Sequence, residues 1–493
     1  MNDPKTTPVL VGVAQVLQRQ PDPARAAEPL DLMIDASRRA IADSGSEALA
    51  HAATSVRVVR GIWRYEDPAR AVADALGLGA VETGITPYGG NMVQTLVNLS
   101  ALDIQAGRHE VILLAGAECG YSRAKARKAG TKPQWRTAPG QPTLFGEDAP
   151  MVNDHEFERG LKMPIQFYPM FENALRYHQG LGIDAHLKEI SELWSRFSEV
   201  AAGNPDAWIR EPVSAEQIRT PSAGNRPVSF PYPKLMNSNN SVDMGAALVL
   251  CSLAAARRHG VDEDRIVYLH SGTDAHDTYF VSNRDNFHSS PAIRLGAGRA
   301  LELAGLTAAT VDHCDLYSCF PVAVQIAAAE IGFELTRPLT VTGGLTFGGG
   351  PMNNYVMHSI ARMADVLRAD PGAKGLVTGN GGFLTKHAFG VYSTAPPTRP
   401  YRHEDVQKEV DRSPTRELDE HFSGTAPVEA YTVMYDANGP AEAYLSVLTP
   451  EGKRAWARNT NPKVLDAMTR EEFCGRSVTL DGQGHASFST ELS

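Results

Sequence analysis

The sequence predicts an α/β protein made of two similar halves on a largely parallel, covered sheet, with a long insertion in the first half and a small all-β, barrel-like domain at the C-terminus. Three observations carry this reading. Short β-branched runs alternate with helical patterns up to Ala117, the same alternation resumes after an irregular excursion that ends near Pro233, and the final stretch alternates apolar and polar residues as strands do. At 493 residues the chain exceeds what one hydrophobic core supports, so several folding units are required.

In chain order, Pro8-Val-Leu-Val-Gly-Val-Ala14 and Glu110-Val-Ile-Leu-Leu-Ala-Gly116 read as strands, and Asp31 to Ser44 and Val93 to Gly107 as helices. Continuous apolar strands imply a sheet buried on both faces. Beyond Ala117 the chain becomes rich in Pro, Arg, Lys and aromatics, with a helical stretch from Leu187 to Ala202 and few strand signals. Ala246-Ala-Leu-Val-Leu-Cys-Ser-Leu253, Arg265-Ile-Val-Tyr-Leu-His270 and Gly375-Leu-Val-Thr378 restore the strand pattern. Between Ala395 and Glu417 proline and charge leave almost nothing to bury, which reads as an exposed linker. Pro427 to Tyr435, Ala443 to Leu448 and Arg454 to Arg458 then alternate like strands, separated by NGP and PEGK turns. The division is 1–262 (with 118–235 inserted), 263–395, a linker at 396–425, and a β domain at 426–493.

A net charge of -10 disfavours a protein built to grip phosphate backbones, so no nucleic-acid partner is expected. No charged n-region precedes a long apolar run at the N-terminus, and no stretch of about 18 apolar residues occurs, so the expectation is a cytoplasmic protein without a membrane span. The five cysteines, Cys119, Cys251, Cys314, Cys319 and Cys474, are odd in number and widely spaced, which argues for buried, reduced thiols and against a disulfide framework or a metal site.

Four segments fall at strand ends, where sheets of this class collect ligand sites: Pro87-Tyr-Gly-Gly-Asn91, Asp315 to Pro321, Gly343 to Asn354 and Thr378 to His387. The first runs into a helix, so its backbone N–H groups are placed to meet an anion or oxyanion, although a bare turn has the same composition. The third packs five glycines into Gly343–Gly350, which suits close approach of backbone to backbone or to a ligand.

These segments resemble the thiolase superfamily. Asp103-Ile-Gln-Ala-Gly107 and Leu114-Ala-Gly-Ala-Glu118 resemble the segments that follow the nucleophilic cysteine of a thiolase, whose position falls on Gly89 or Gly90. Tyr317-Ser-Cys-Phe320 resembles the Asn-Glu-Ala-Phe loop, which reads His-Asp-Cys-Phe in the sterol carrier protein branch. Gly343 to Pro351 resembles the glycine-histidine-proline loop, with Gly350 in place of the histidine, and Gly379-Asn-Gly381 resembles the last Cys-x-Gly loop, with Gly379 in place of the second cysteine. The resemblance runs from about residue 7 to residue 395, and the appended domain resembles that of the thiolase-like protein type 1 group. It implies a thiolase fold, two similar βαβαβ halves in five layers, αβαβα.

It also implies acetyl-CoA acetyltransferase-like, acyl-CoA-handling chemistry on a C–C bond of a β-keto or related substrate, with coenzyme A thioester as substrate or ligand and no covalently bound cofactor. Glycine can neither carry an acyl group nor move a proton, whereas backbone N–H donors survive the loss of a side chain. Tyr317, His358 and His387 are the candidate catalytic residues, with Lys386 beside them; Gly89, Gly90, Asn91, Gly349, Gly350 and Gly379 are the candidate oxyanion and substrate pocket. Positive charge in the insert at Arg123, Lys125, Arg127 and Lys128 suits the phosphates of CoA, though a basic run is also an ordinary solvated face. A retro-aldol lyase acting on a β-hydroxyacyl-CoA and a non-catalytic CoA or acyl-CoA binding or scaffold protein remain open alternatives. Superfamily members are commonly oligomers and the extra domain could cover a dimer face, so monomer and homodimer both stay open.

Overall fold

A computed structural model describes residues 3–488. In the first half, β1 (Pro8–Gln18), β2 (Ser55–Val58), β3 (Glu82–Ile85), β4 (Val111–Cys119) and β8 (Asp243–Ser252) lie in the order β1-β8-β4-β2-β3. The two-residue β5 (Thr143–Leu144) lies parallel to β3 at the edge, while β6 (Pro227–Ser229) and β7 (Tyr232–Pro233) belong elsewhere. In the second half, β9 (Val267–His276), β10 (His313–Asp315), β11 (Lys374–Gly381) and β12 (Lys386–Ser393) lie in the matching order β9-β12-β11-β10. Antiparallel pairing of Val9 with Tyr268 and Leu10 with Val267 joins the halves.

The sheet is mixed, not largely parallel. β8 runs antiparallel to both β1 and β4, and β12 runs antiparallel to both β9 and β11. Apolar periodicity reports burial but not strand direction, so the sequence could not reveal that each half inserts its last strand in reverse. The helices Met92–Gln105 and Tyr355–Ala369 contact strands of both halves and form the middle layer. Pro29–Asp43 and Pro68–Ala75 cover one outer face, and Pro291–Leu303 with Pro321–Ile331 the other, giving five layers. Enclosure on both sides explains why Met92–Gln105 buries Gln94, Asn98 and Ser100 as well as its apolar residues. The polar groups are satisfied in place: Tyr392 Oη donates to Gln94 Oε1 at 2.8 Å, and Asn98 Nδ2 to Asp274 Oδ2 at 2.9 Å.

The insertion is held by the helices Pro164–His178 and Ile183–Gly203. Fully buried Glu172 accepts from His186 Nε2 at 2.5 Å, from Gln325 Nε2 at 2.9 Å and from the Tyr232 hydroxyl, tying the insertion to the helix Pro321–Ile331.

The expected linker at 396–425 is not a free tether. It contributes β13 (Arg402–Asp405), which pairs in parallel with β9, and it buries Tyr401, Val406 and Val410. Three spaced apolar residues and an edge strand held by backbone bonds leave little compositional trace. The C-terminal sheet comprises β14 (Ser423–Asp436), β15 (Gly439–Leu448), β16 (Arg454–Asn459), β17 (Ser477–Asp481) and β18 (Ala486–Ser487), in the order β16-β15-β14-β17-β18. A parallel bridge from Arg458 to His485 brings the ends together, so the sheet curls around its own core. The domain is not purely β, since the helix Pro462–Met468 packs on it, nor is it local in sequence, since β6 of the insertion joins it through Ser229 and Met434. Arg454, fully buried, fixes it to the second half: its guanidinium meets Glu429 Oε1 at 2.6 Å and Oε2 at 2.7 Å, and donates to the carbonyls of Val281, Ser282 and Arg284.

Candidate active site

Three strand-end loops converge where the helix Met92–Gln105 begins. Gly381 and Gly379 at the end of β11 pack against Asn91, and a Cβ added to Gly379 would lie 3.0 Å from Asn91 Cα. Tyr317, after β10, is anchored by its backbone N–H to Thr378 Oγ1 at 2.8 Å, with its ring edge-on to Tyr355 at 5.5 Å. Its hydroxyl and the Asn380 carbonyl oxygen occupy the space that a side chain on Gly90 would enter; a Cβ there would also stand 2.8 Å from Tyr317 Cζ. A side chain at Gly90 would therefore meet a phenol.

The site is tight. The cavity bounded by Tyr317, Gly379, Asn380 and His387 encloses about 10 Å³, room for one water at most. Burial raises the Tyr317 phenol far above its ordinary range, so the hydroxyl stays protonated and can donate but not act as a base. A wider cleft of about 310 Å³ opens beside it, lined by Asn91, Thr95, His276, Lys386 and His387, and His387 borders both spaces. The His387 ring is held near Leu384 O (3.3 Å) and Asp277 Oδ2 (3.8 Å). Burial favours a protonated Asp277 carboxyl, but Arg284 and His387 outweigh it and hold the pKa at about 2. The Lys386 ammonium, lowered by burial, reaches Ala149 O at 2.6 Å. Buried Asn91 Oδ1 and Asn380 Oδ1 have no hydrogen-bond partner among the described residues.

Gly89, Gly90, Asn91, Tyr317, Gly379 and His387 are therefore brought together, but Gly349, Gly350 and His358 are not. Gly349, at φ 112°, packs on Met244 and Trp208, and Gly350 faces Ser238 and Asn240. The glycine run serves close backbone packing, with 344–348 wound into a single π turn. His358 lies inside the middle layer, where its Nδ1–H donates to Gln15 Oε1 at 2.9 Å and its Nε2 has no partner among the described residues. Burial pushes its pKa down to about 3.

An unfolded histidine, near about 6.5, takes up a proton that folded His358 refuses. Its contribution to stability is complete above that value and is lost as pH falls toward about 3. Urea midpoints measured from neutral pH down to about pH 4.5 are expected to fall less steeply for His358→Gln than for the parent.

Two site residues were not singled out from the sequence. Asn380 sits inside the recognised Gly379-Asn-Gly381 loop, so its position was legible although its role was not. Tyr168, in the insertion, receives Asn380 Nδ2 at 3.1 Å and Leu384 N at 3.0 Å on its hydroxyl and stacks on Phe320 at 4.5 Å. A tyrosine in an amphipathic helix carries no signal for that. The cysteines are all free and buried; burial lifts Cys319 to about 12, so the thiol nearest the site is not an activated nucleophile. Among the described residues, no group of three or more His, Cys, Asp or Glu could hold a metal ion, and no helix is long and apolar enough to cross a membrane.

Residues 405–485 match the family described as thiolase-like protein type 1 additional C-terminal domain. The whole chain superimposes on a monomeric SCP2-thiolase-like protein type 1 from Mycobacterium smegmatis with a TM-score of 0.84, at 29% identity over 99% of this chain and 100% of that one. The chain has the thiolase fold and carries the type 1 additional C-terminal domain. An acetyl-CoA acetyltransferase of Methanothermobacter thermautotrophicus is 22% identical over 388 residues, 73% of this chain and 94% of that protein. The acetyl-CoA acetyltransferase of Syntrophomonas wolfei shares the fold, with a TM-score of 0.56 at 16% identity over 79% of this chain and 99% of that one. The family domain begins inside β13, so the chain leaves little free length between core and appendage.

Proposed function

We propose that this thiolase-like protein handles acyl-CoA thioesters, acting on the C–C bond beside the carbonyl of a β-keto or related substrate, without ever carrying an acyl group on its own chain. The observation behind this is the Tyr317 hydroxyl standing where a side chain on Gly90 would be. A protonated phenol and the N–H groups at the start of Met92–Gln105 can polarise a carbonyl or donate a proton to a developing oxyanion. The whole-length likeness to a monomeric relative supports a monomer as the working unit.

A second reading, an acyl-CoA binding protein without turnover, is favoured by the small volume around Tyr317. Incubation with a panel of 3-keto- and 3-hydroxyacyl-CoAs, with and without free CoA, separates the readings by product mass. Chain shortening that is lost in Tyr317→Phe is the expected result, and release of an aldehyde or ketone without CoA identifies a lyase instead. Binding without turnover selects the second reading, and failure to bind any thioester contradicts both.

A further inference from the structure

Beside the narrow space at Tyr317 lies the cleft of about 310 Å³, a volume at the lower end of small-molecule sites. Distant parts of the chain build its walls: the start of the helix Met92–Gln105, residues 147–149 of the insertion, the ends of β9 and β12, and residues 405–407 of the segment after β12.

The lining is polar where a pocket for an alkyl chain would be apolar. Of its thirteen residues only Met92, Ala149 and Ala275 are aliphatic, and Met92 and Ala275 are buried, so Ala149 is the one aliphatic side chain open to an occupant.

The groups nearest the opening are acceptors. Glu147 and Asp405 are exposed, and Asp274, His276 and Tyr279 are half-buried. Asp274 is fully engaged: Thr95 Oγ1 donates to its Oδ1 at 2.5 Å, and Asn98 Nδ2 and His403 Nε2 reach its Oδ2 at 2.9 and 2.8 Å. Among the described residues, Glu147 receives the Tyr279 hydroxyl alone, at 3.0 Å on Oε2, and Asp405 the Gln407 N–H alone, at 2.8 Å on Oδ1. One oxygen of each carboxylate is left without a donor. The His276 ring stacks on Tyr279 at 4.1 Å and its Nδ1–H donates to Asp277 O at 2.7 Å, so its Nε2 keeps a lone pair. Donors are scarcer. Gln407 Nε2 is spent on His276 O at 2.9 Å and Asp411 Oδ1 at 2.7 Å, and Lys386 Nζ is drawn to Ala149 O at 2.6 Å.

Three carboxylates thus share the cleft with one ammonium and the imidazoles of His276 and His387. An alkyl chain entering it would strip water from the free oxygens of Glu147 and Asp405 and return no hydrogen bond, whereas a hydroxyl or an ammonium supplies the missing donor. A carboxylate would meet like charge at close range.

We propose that this cleft receives the far end of the acyl group and selects chains bearing hydrogen-bond donors, a hydroxyl or a protonated amine, over plain alkyl chains and over chains ending in a carboxylate. Glu147 and Asp405 are the residues that determine this specificity. His387, which borders both spaces, marks the passage from the carbonyl at Tyr317 to the cleft. The inference rests on the acyl-CoA reading and concerns the acyl end alone.

The test titrates 3-ketoacyl-CoAs ending in methyl, hydroxyl, ammonium or carboxylate groups into the full-length protein by calorimetry, at several matched chain lengths. The parent is compared with Glu147→Gln/Asp405→Asn, whose exposed positions suit near-isosteric neutral replacements; circular dichroism checks the fold. At the length that reaches the cleft, the hydroxyl and ammonium thioesters are expected to bind about tenfold or more tighter than the methyl one, and the carboxylate most weakly. The double variant is expected to lose most of the ammonium preference and most of the carboxylate penalty. A preference led by the hydroxyl identifies hydrogen bonding as what selects, and one led by the ammonium identifies charge. Equal binding of all four at every length, tightest binding of the methyl thioester, or a preference that the double variant leaves unchanged overturns the inference while the acyl-CoA reading stands. Failure of all four to bind removes the acyl-CoA reading itself, and the inference with it.

Discussion

Gly90→Cys is expected to leave the protein less stable and still without an acyl-enzyme. The new side chain would enter space held by the Tyr317 hydroxyl and the Asn380 carbonyl, so the cost is that of overpacking, about 1–3 kcal/mol. A thiol at this position finds no room. The paired variant Gly90→Cys/Tyr317→Ala is expected to recover space, and a thiol there sits at a helix N-terminus, which lowers its pKa. Labelling by a small thiol-directed electrophile should therefore be faster in the double variant than in the single one. Equal labelling of the two would mean that Tyr317 is not what fills the site.

The second large effect is expected at the seam between the core and the C-terminal domain. Arg454→Ala leaves Glu429 without its cation and three carbonyls of 281–284 without their donor. Breaking a buried pair on one side costs about 3–5 kcal/mol. Hydrogen exchange should show β14–β16 opening before the five-layer core. Arg454→Met combined with Glu429→Leu should recover part of the loss, because the stranded carboxylate is then gone. An unchanged denaturation profile for Arg454→Ala would refute the docking role.

The sequence made legible what depends on apolar period. The strands around Val111 and Ala246, the helix Met92–Gln105 and the β character after Pro427 follow from patterns that burial dictates. It hid what depends on partners distant along the chain: the reversal of β8 and β12, the attachment of β13 to β9, and the reach of β6 into the C-terminal sheet. The site divided in the same way. Gly89, Gly90, Asn91, Tyr317 and Gly379 were legible because their loops keep a recognisable order, and the structure brings them into contact. Gly350 followed from the resemblance of its loop and His358 from proximity to that loop, yet the loop turns its backbone toward Ser238 and Trp208, and the helix after it points His358 at Gln15. Tyr168 closes the site from an insertion in which the sequence marks only Leu187 to Ala202 as helical.

The most direct test of acyl-CoA handling without a covalent acyl-enzyme is the intact mass of the parent protein after rapid quenching from saturating acetyl-CoA and from a 3-ketoacyl-CoA. The account predicts an unchanged mass at every time point, because all five thiols are buried and the one nearest the site, Cys319, is not activated. A transient mass increase equal to one acyl group, mapped to any residue of the site, would contradict it.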